Sequence, residues 1–240
     1  GVKGMDYIIA DPNLVLENEK KNYSEKIVYL PKIWNSHSGI NVKRVYSQSP
    51  FVKNKFITFG SFNNFRKINE NVISVWSRIL KKIPNSKLIL KSSSVLSNNL
   101  IFQKFKENQI SESVEFEPFE SDFETHLNLY KKVDVALDTF PYNGVTTSFE
   151  AIWMGVPVLT MKGYNFISRC GESINKNLNM TNLISKNEND YFLQACKIAS
   201  DKDKLTKMRE HIFNTALSTP LFDAKEFSHQ FFDKLKKLIK

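Results

Sequence analysis

The 240-residue sequence predicts a layered α/β domain built around a parallel sheet. From residue 56 onward, apolar runs of strand length alternate with segments of helical period. Each run is short and almost continuously apolar, as a strand covered on both faces must be. Hydrophobic residues make up 41% of the chain, including 19 Phe and 3 Trp, which is enough for a sizeable core and too much for a disordered chain.

The elements follow in order. "MDYIIADP" reads as a strand running into a turn, and "YSEKIVYLP" as a second apolar run stopped by proline. The polar linker "NSHSGINVKRVYSQSP" comes next, so residues 1–50 are too little chain for a core of their own and read as the edge of another domain, with residues 51–240 as the main unit. Strands are expected at "FITFG" (56–60), "KLILK" (87–91), "VEFEP" (114–118), "DVALD" (134–138) and "PVLT" (157–160). Between the first two, Val72, Ile73, Trp76, Ile79, Leu80 and Ile83 recur at helical spacing until Pro84 stops the pattern, and Asn69 suits the N-cap. In "SDFETHLNLYKKV" the Ser121/Glu124 pair has capping-box spacing, which starts a helix near residue 122. From Asp190 onward three helices are expected, the last in "DAKEFSHQFFDKLKKLIK", and no repeat of solenoid period is visible.

Composition excludes several function classes. No apolar stretch approaches the roughly 20 residues that cross a bilayer, and "GVKGMDYIIADPN" lacks the basic and apolar regions of a signal peptide, so a cytoplasmic chain without a membrane partner is expected. Cys170 and Cys196 form no CxxC motif and the four His have no metal-ligand spacing, so neither a disulfide framework nor a metal is expected. The net charge of +9 is compatible with nucleic acid, an acidic partner or an anionic small ligand. Much of it sits in "KLKKLIK" and in dispersed lysines without an interleaved aromatic motif, which favours a solvated face over a nucleic-acid partner.

Ligands of a doubly wound sheet sit beyond the carboxyl ends of the strands, which draws attention to two loops. After "FITFG", the loop "SFNNFRKI" offers Asn63, Asn64, Arg66 and Lys67. These residues suit any exposed turn, but an ammonium there faces a crevice that a helix dipole makes attractive to anions. The second loop is "DTFPYNGVTTSFEAIW". Thr147 and Glu150 have capping-box spacing, which explains both without a ligand. Alternatively, Gly144 lets backbone amides approach a phosphate, with the Thr146 and Thr147 hydroxyls as further donors. His126 reads as a surface histidine or a ligand contact. No GxGxxG follows a strand, and GxxxxGK[ST], GxSxG and a His/Asp triad are absent.

"FGSFNNFRKINENVISVWSRILKKIPNSKLIL", "DVALDTFPYNGVTTSFEAIWMGVPVLTMKG" and "SRCGESI" together resemble the catalytic region of the O-GlcNAc transferase and SPINDLY-like enzymes of glycosyltransferase family 41. "MDYIIADP" with "YSEKIVYLP" is similar to the end of that family's N-terminal catalytic lobe. The resemblance implies a GT-B architecture: a Rossmann-like doubly wound parallel sheet forming the C-terminal lobe, preceded by a short remnant of the N-terminal lobe. It also implies inverting, metal-independent transfer of N-acetylglucosamine from UDP-GlcNAc to protein Ser or Thr hydroxyls.

Carried over by position, Asn64 stands where the family usually has a Gln beside the diphosphate, and Lys67 matches the Lys that pairs with it and is the expected catalytic cation. Thr146 and Thr147 match two phosphate-binding threonines, Glu150 replaces an Asp expected at the ribose, and His126 matches a His near the nucleoside. Two departures remove polar donors: Val145 where the family commonly has His, and Leu129 where an Arg is often found. The facing lobe with its proposed catalytic His and the TPR repeats of the family are not in these residues, so the implied partners are a UDP-sugar, a protein acceptor and a separate N-terminal lobe or TPR-containing chain. The alternative is a non-catalytic nucleotide-sugar-binding module acting with a partner chain.

Overall fold

The computed structural model describes residues 3–91 and 94–238. Six parallel strands form the main sheet: β3 (Thr58–Ser61), β4 (Lys87–Lys91), β5 (Val114–Glu117), β6 (Val135–Leu137), β7 (Val158–Met161) and β8 (Ile184–Ser185). Their order across the sheet is β5-β4-β3-β6-β7-β8. The chain therefore winds outward from β3 to β5, returns to the middle, and winds the other way from β6. Between β3 and β6 lies the point at which the winding reverses, where adjacent loops diverge and leave a crevice.

The five expected strands are present with ends shifted by up to two residues, and β8 is added after a short 3-10 turn (Thr181–Leu183). Successive side chains serve opposite layers. Leu88 and Leu90 pack with Trp76, Phe105 and Tyr191 in one layer, whereas Ile89 and Val158 pack with Phe149, Ile174 and Ile212 in the other. Leu88 and Leu90 are fully buried, and each such side chain contributes about 1.5–3 kcal/mol. Burial on both faces explains why these runs are apolar without alternation.

Helix α2 (Glu70–Lys82) starts where Asn69 accepts a hydrogen bond from the Val72 amide at 3.0 Å, and buries Val72, Ile73, Trp76, Ile79 and Leu80. The helix expected near residue 122 is α4 (Phe123–Leu129), but its cap corrects the sequence reading: Asp122 accepts from the Thr125 amide at 2.7 Å, one residue after Ser121. Asp and Ser cap equally well, and the aspartate carries the charge that the helix dipole favours. Helices α1 (Phe51–Asn54), α3 (Val95–Glu107), α5 (Thr146–Trp153) and α6 (Cys170–Asn177) fill the remaining connections. The three C-terminal helices are α7 (Glu188–Ser200), α8 (Lys202–Thr215) and α9 (Ala224–Leu238), and the last two residues of "KLKKLIK" lie outside the described residues.

The N-terminal segment pairs β1 (Tyr7–Ala10) with β2 (Lys26–Tyr29) as a separate two-stranded parallel sheet. Asp11 joins it to the main body, accepting from Ser173 Oγ of α6 at 2.5 Å and from the Trp34 amide at 3.1 Å. Arg169 makes a two-pronged pair with Glu19 at 2.5 and 2.7 Å.

Candidate functional site

The loops after β3 and β6 meet at the reversal point. Leaving β3, Asn64 accepts from the Arg66 amide at 2.9 Å and caps a 3-10 turn (Phe65–Lys67) that ends at Lys67. This turn aims the lysine across the crevice: Lys67 Nζ donates to the Asn143 carbonyl at 2.8 Å and lies 4.0 Å from the Tyr142 ring. Asn69 ties the loops a second time, Nδ2 to the Phe140 carbonyl at 2.6 Å. Partial burial pulls the Lys67 pKa down while the nearby Asp138 carboxylate holds it up.

The loop from β6 wraps around Asp138, which is 1% exposed. Its Oδ1 accepts from the Gly144 amide at 2.6 Å, the Thr139 amide at 2.9 Å and Asn63 Nδ2 at 3.2 Å, and its Oδ2 accepts from Thr160 Oγ1 at 2.7 Å. Burial pushes this carboxyl up to about 6, against the opposing pull of those donors and of Lys67. Asn143, also buried, receives the Gly171 amide on Oδ1 at 3.2 Å and gives Nδ2 to the Thr139 carbonyl at 2.9 Å.

Helix α5 opens at Thr146 after Val145, whose side chain supplies no cap. This corrects the capping-box reading of Thr147 and Glu150, because both side chains point elsewhere. Thr147 Oγ1 donates to Asn63 Oδ1 at 2.7 Å. Glu150 Oε2 accepts from His126 Nε2 at 3.0 Å and from the Tyr130 hydroxyl at 3.0 Å. With no side-chain cap, the first amides of α5 keep their donors for another acceptor. Thr146 is exposed on that first turn.

His126 is buried rather than on the surface. Lys91 Nζ approaches its Nδ1 at 2.9 Å. An ammonium has only hydrogens to give, so Nδ1 is the acceptor and the ring proton sits on Nε2, directed at Glu150. Tyr130 keeps its own proton, since burial and Glu150 push its pKa well up.

The structure thus brings Lys67, Gly144 and Thr147 into one connected mouth at the head of α5, joined on the far side of Thr147 by Glu150 and His126. Two predicted contributions differ in detail. Asn64 is exposed and spends its side chain on its own turn, whereas the neighbouring Asn63, 6% exposed, enters the network. Gly144 has no positive φ, and its amide is taken by Asp138; what its position requires is space, because an added Cβ would lie 2.6 Å from Asn63 Oδ1 and 2.7 Å from Thr147 Oγ1. Leu129 packs in the core and brings no donor. Sequence reasoning missed Asp138, whose signal was a carboxylate closing an apolar strand, and Lys91, the last residue of "KLILK".

Residues 41–231 match the family description Glycosyl transferase family 41. The chain belongs to glycosyl transferase family 41. Among curated relatives, the probable UDP-N-acetylglucosamine–peptide N-acetylglucosaminyltransferase SPINDLY of Solanum lycopersicum is 34% identical over 235 residues, covering 95% of this chain and 25% of the relative. The family 41 chain thus spans about a quarter of the length of the curated relatives it matches. Among solved structures, a mutant O-GlcNAc transferase of Thermobaculum terrenum superposes with a TM-score of 0.88 at 26% identity, over 97% of this chain and 45% of that one. Sucrose-phosphate synthase of Thermosynechococcus elongatus shares the fold at a TM-score of 0.66 and 15% identity, over 97% of this chain and 58% of that one. The α/β architecture with its six-stranded parallel sheet is that of GT-B glycosyltransferases. Among the described residues, no helix is long and apolar enough to cross a membrane.

Proposed function

We propose that this chain is the nucleotide-sugar lobe of a protein O-glycosyltransferase, taking UDP-GlcNAc as donor and Ser or Thr hydroxyls of proteins as acceptors. The observation that carries the reading is the 2.8 Å contact of Lys67 Nζ with the Asn143 carbonyl, which brings an ammonium to the loop that leads into α5. Departure of the sugar concentrates negative charge on the diphosphate. A cation and helix-end amides already aimed there stabilise that charge more in the transition state than in the ground state. Lys67 is the proposed catalytic cation. Thr146 meets the phosphates with its exposed hydroxyl and Thr147 with its backbone amide, its own hydroxyl proton being given to Asn63 Oδ1, and Glu150, held by His126 and Tyr130, meets the ribose. This set of donors supplies counter-charge without a metal. Residues 1–50 are the proposed end of an N-terminal lobe, residues 51–240 the donor lobe, and a facing lobe outside these residues would supply the acceptor surface. The unpaired Cys170 and Cys196 support a reducing, cytoplasmic setting.

Titration calorimetry with UDP tests the site. Lys67→Ala removes one charged hydrogen-bond donor, worth about 1.5–3 kcal/mol, so affinity should fall by about 10- to 100-fold; unchanged affinity removes Lys67 from the site. A second reading is a binding module without transfer activity that works with a partner chain; it is favoured by Val145 and Leu129, which bring no polar donor to the mouth. Transfer of radiolabelled sugar to peptide once the facing lobe is supplied supports the enzyme, and UDP binding without transfer in its presence supports the module.

A further inference from the structure

We propose that Asp138 is the positioning residue of this mouth: its ionised carboxylate, by holding the Gly144 amide and Asn63 Nδ2 together, sets the shape that receives a diphosphate. The inference rests on the reading of the mouth as a diphosphate site and adds the device that shapes it.

The geometry runs in one chain of contacts. A carboxylate only accepts, so Asn63 must turn Nδ2 toward Asp138 and Oδ1 toward Thr147. That orientation draws the Thr147 hydroxyl proton to Asn63, fixing the rotamer of the side chain on the first turn of α5. The same carboxylate oxygen pins the Gly144 amide, which places the Asn143 carbonyl under Lys67 Nζ. Little slack exists on either side. A Cβ on Gly144 would strike Asn63 and Thr147, and a Cβ on Gly171 would lie 2.0 Å from Thr160 Oγ1 and 2.8 Å from Asp138 Oδ2.

Ionisation governs the arrangement. A protonated Asp138 carries a hydrogen that only the Thr160 hydroxyl can turn to accept; it conflicts with the N–H donors of Gly144, Thr139 and Asn63, which a neutral carboxyl also holds less tightly than a carboxylate. Burial lifts this carboxyl to about 6, so the conflict sets in as pH falls through that value. The groups facing Asp138 are Lys67 from the loop after β3, Thr160 from β7, Cys170 at the start of α6 and Tyr191 from α7, whose hydroxyl donates to the Asp138 carbonyl at 2.9 Å. Burial pushes Cys170 up to about 12 and Tyr191 well up, so both stay neutral where Asp138 ionises. A bare electrostatic effect has the opposite sign, since an ionised carboxylate beneath a bound diphosphate repels it.

The test measures UDP-N-acetylglucosamine affinity by calorimetry from pH 5 to pH 8, because the phosphates of this diester do not titrate there. Affinity should rise at least five-fold with pH, about a midpoint near 6. Asp138→Asn should bind at least ten-fold more weakly at pH 8 and lose the pH dependence. Thr160→Val, which removes one donor from Oδ2, should move the midpoint upward; His126 touches neither substituted side chain. Affinity that is flat or falls with rising pH, or an Asp138→Asn protein with the wild-type profile, overturns the proposal. A separate measurement needs no ligand: the Gly144 amide resonance of the free protein should titrate near pH 6, and its constancy from pH 5 to 7.5 also overturns the proposal. Absence of nucleotide binding at every pH, together with a titrating Gly144 amide, refutes the diphosphate reading while leaving the hold of Asp138 on the loop intact.

Discussion

Gly144→Ala perturbs the mouth with a single carbon. The backbone there is not in the left-handed region, so alanine is conformationally acceptable, and restricting the unfolded chain favours the variant by about 0.4–1 kcal/mol. Against this stands the added Cβ, 2.6 Å from Asn63 Oδ1, 2.7 Å from Thr147 Oγ1 and 3.1 Å from Asn63 Nδ2. These atoms are not the free ends of flexible chains: Asn63 is bonded to Asp138 and Thr147 to Asn63. Overpacking of this kind costs about 1–3 kcal/mol. With central values of about 2 and about 0.7, the net loss is about 1.3 kcal/mol, which for a chain of this size lowers Tm by about 3–5 °C. Nucleotide binding should suffer more than stability, since relief of the clash must displace Thr147 or Asn63; a loss of at least ten-fold is expected. Scanning calorimetry and UDP titration read the two effects. A variant that melts at or above the wild-type temperature and binds UDP normally would refute the reasoning.

Two further substitutions probe neighbouring contacts. Glu150→Ala strands the buried His126 Nε2 hydrogen while Tyr130 keeps the Thr147 carbonyl as acceptor, so one lost partner predicts a loss of about 1–3 kcal/mol in urea unfolding. Weaker UDP binding should accompany it, and full stability would contradict the assigned ring orientation. Arg169→Met removes the two-pronged pair with Glu19 and should raise hydrogen exchange in β1 and β2 without changing β3 or β4. Arg169 holds the Glu19 carboxyl below its ordinary value. The pair therefore contributes fully above the unfolded carboxylate range and is lost as pH falls through the lowered value, so the same strands should loosen in acid in the wild-type protein but show no added loss in the variant.

The strands were legible because the sheet is covered on both faces, which turns "KLILK" and "DVALD" into apolar blocks, and α2 was legible because its stripe and its Asn69 cap agree. Strand β8 escaped notice because two residues carry no pattern. At the site, Lys67, Thr147 and Glu150 could be picked out by their places after strands and near a helix start. Their partners could not. Capping-box spacing also suits side chains that turn away to Asn63 and His126, and only the tertiary structure separates the two uses. Which of Asn63 and Asn64 turns inward depends on how the chain leaves β3, a choice that two identical neighbours hide. Asp138 was concealed by its surroundings, since four donors converge on it from Asn63, Thr139, Gly144 and Thr160, and two of those lie on other elements.

Lys67 and Asn143 are 76 residues apart in the chain. The crevice therefore closes only once the polypeptide has come back from β4 and β5 to the centre of the sheet. A growing chain on the ribosome would hold a lysine without its loop until α5 emerged. Retention on an immobilised nucleotide would then select molecules that have completed the return crossing, and partly folded ones would pass through.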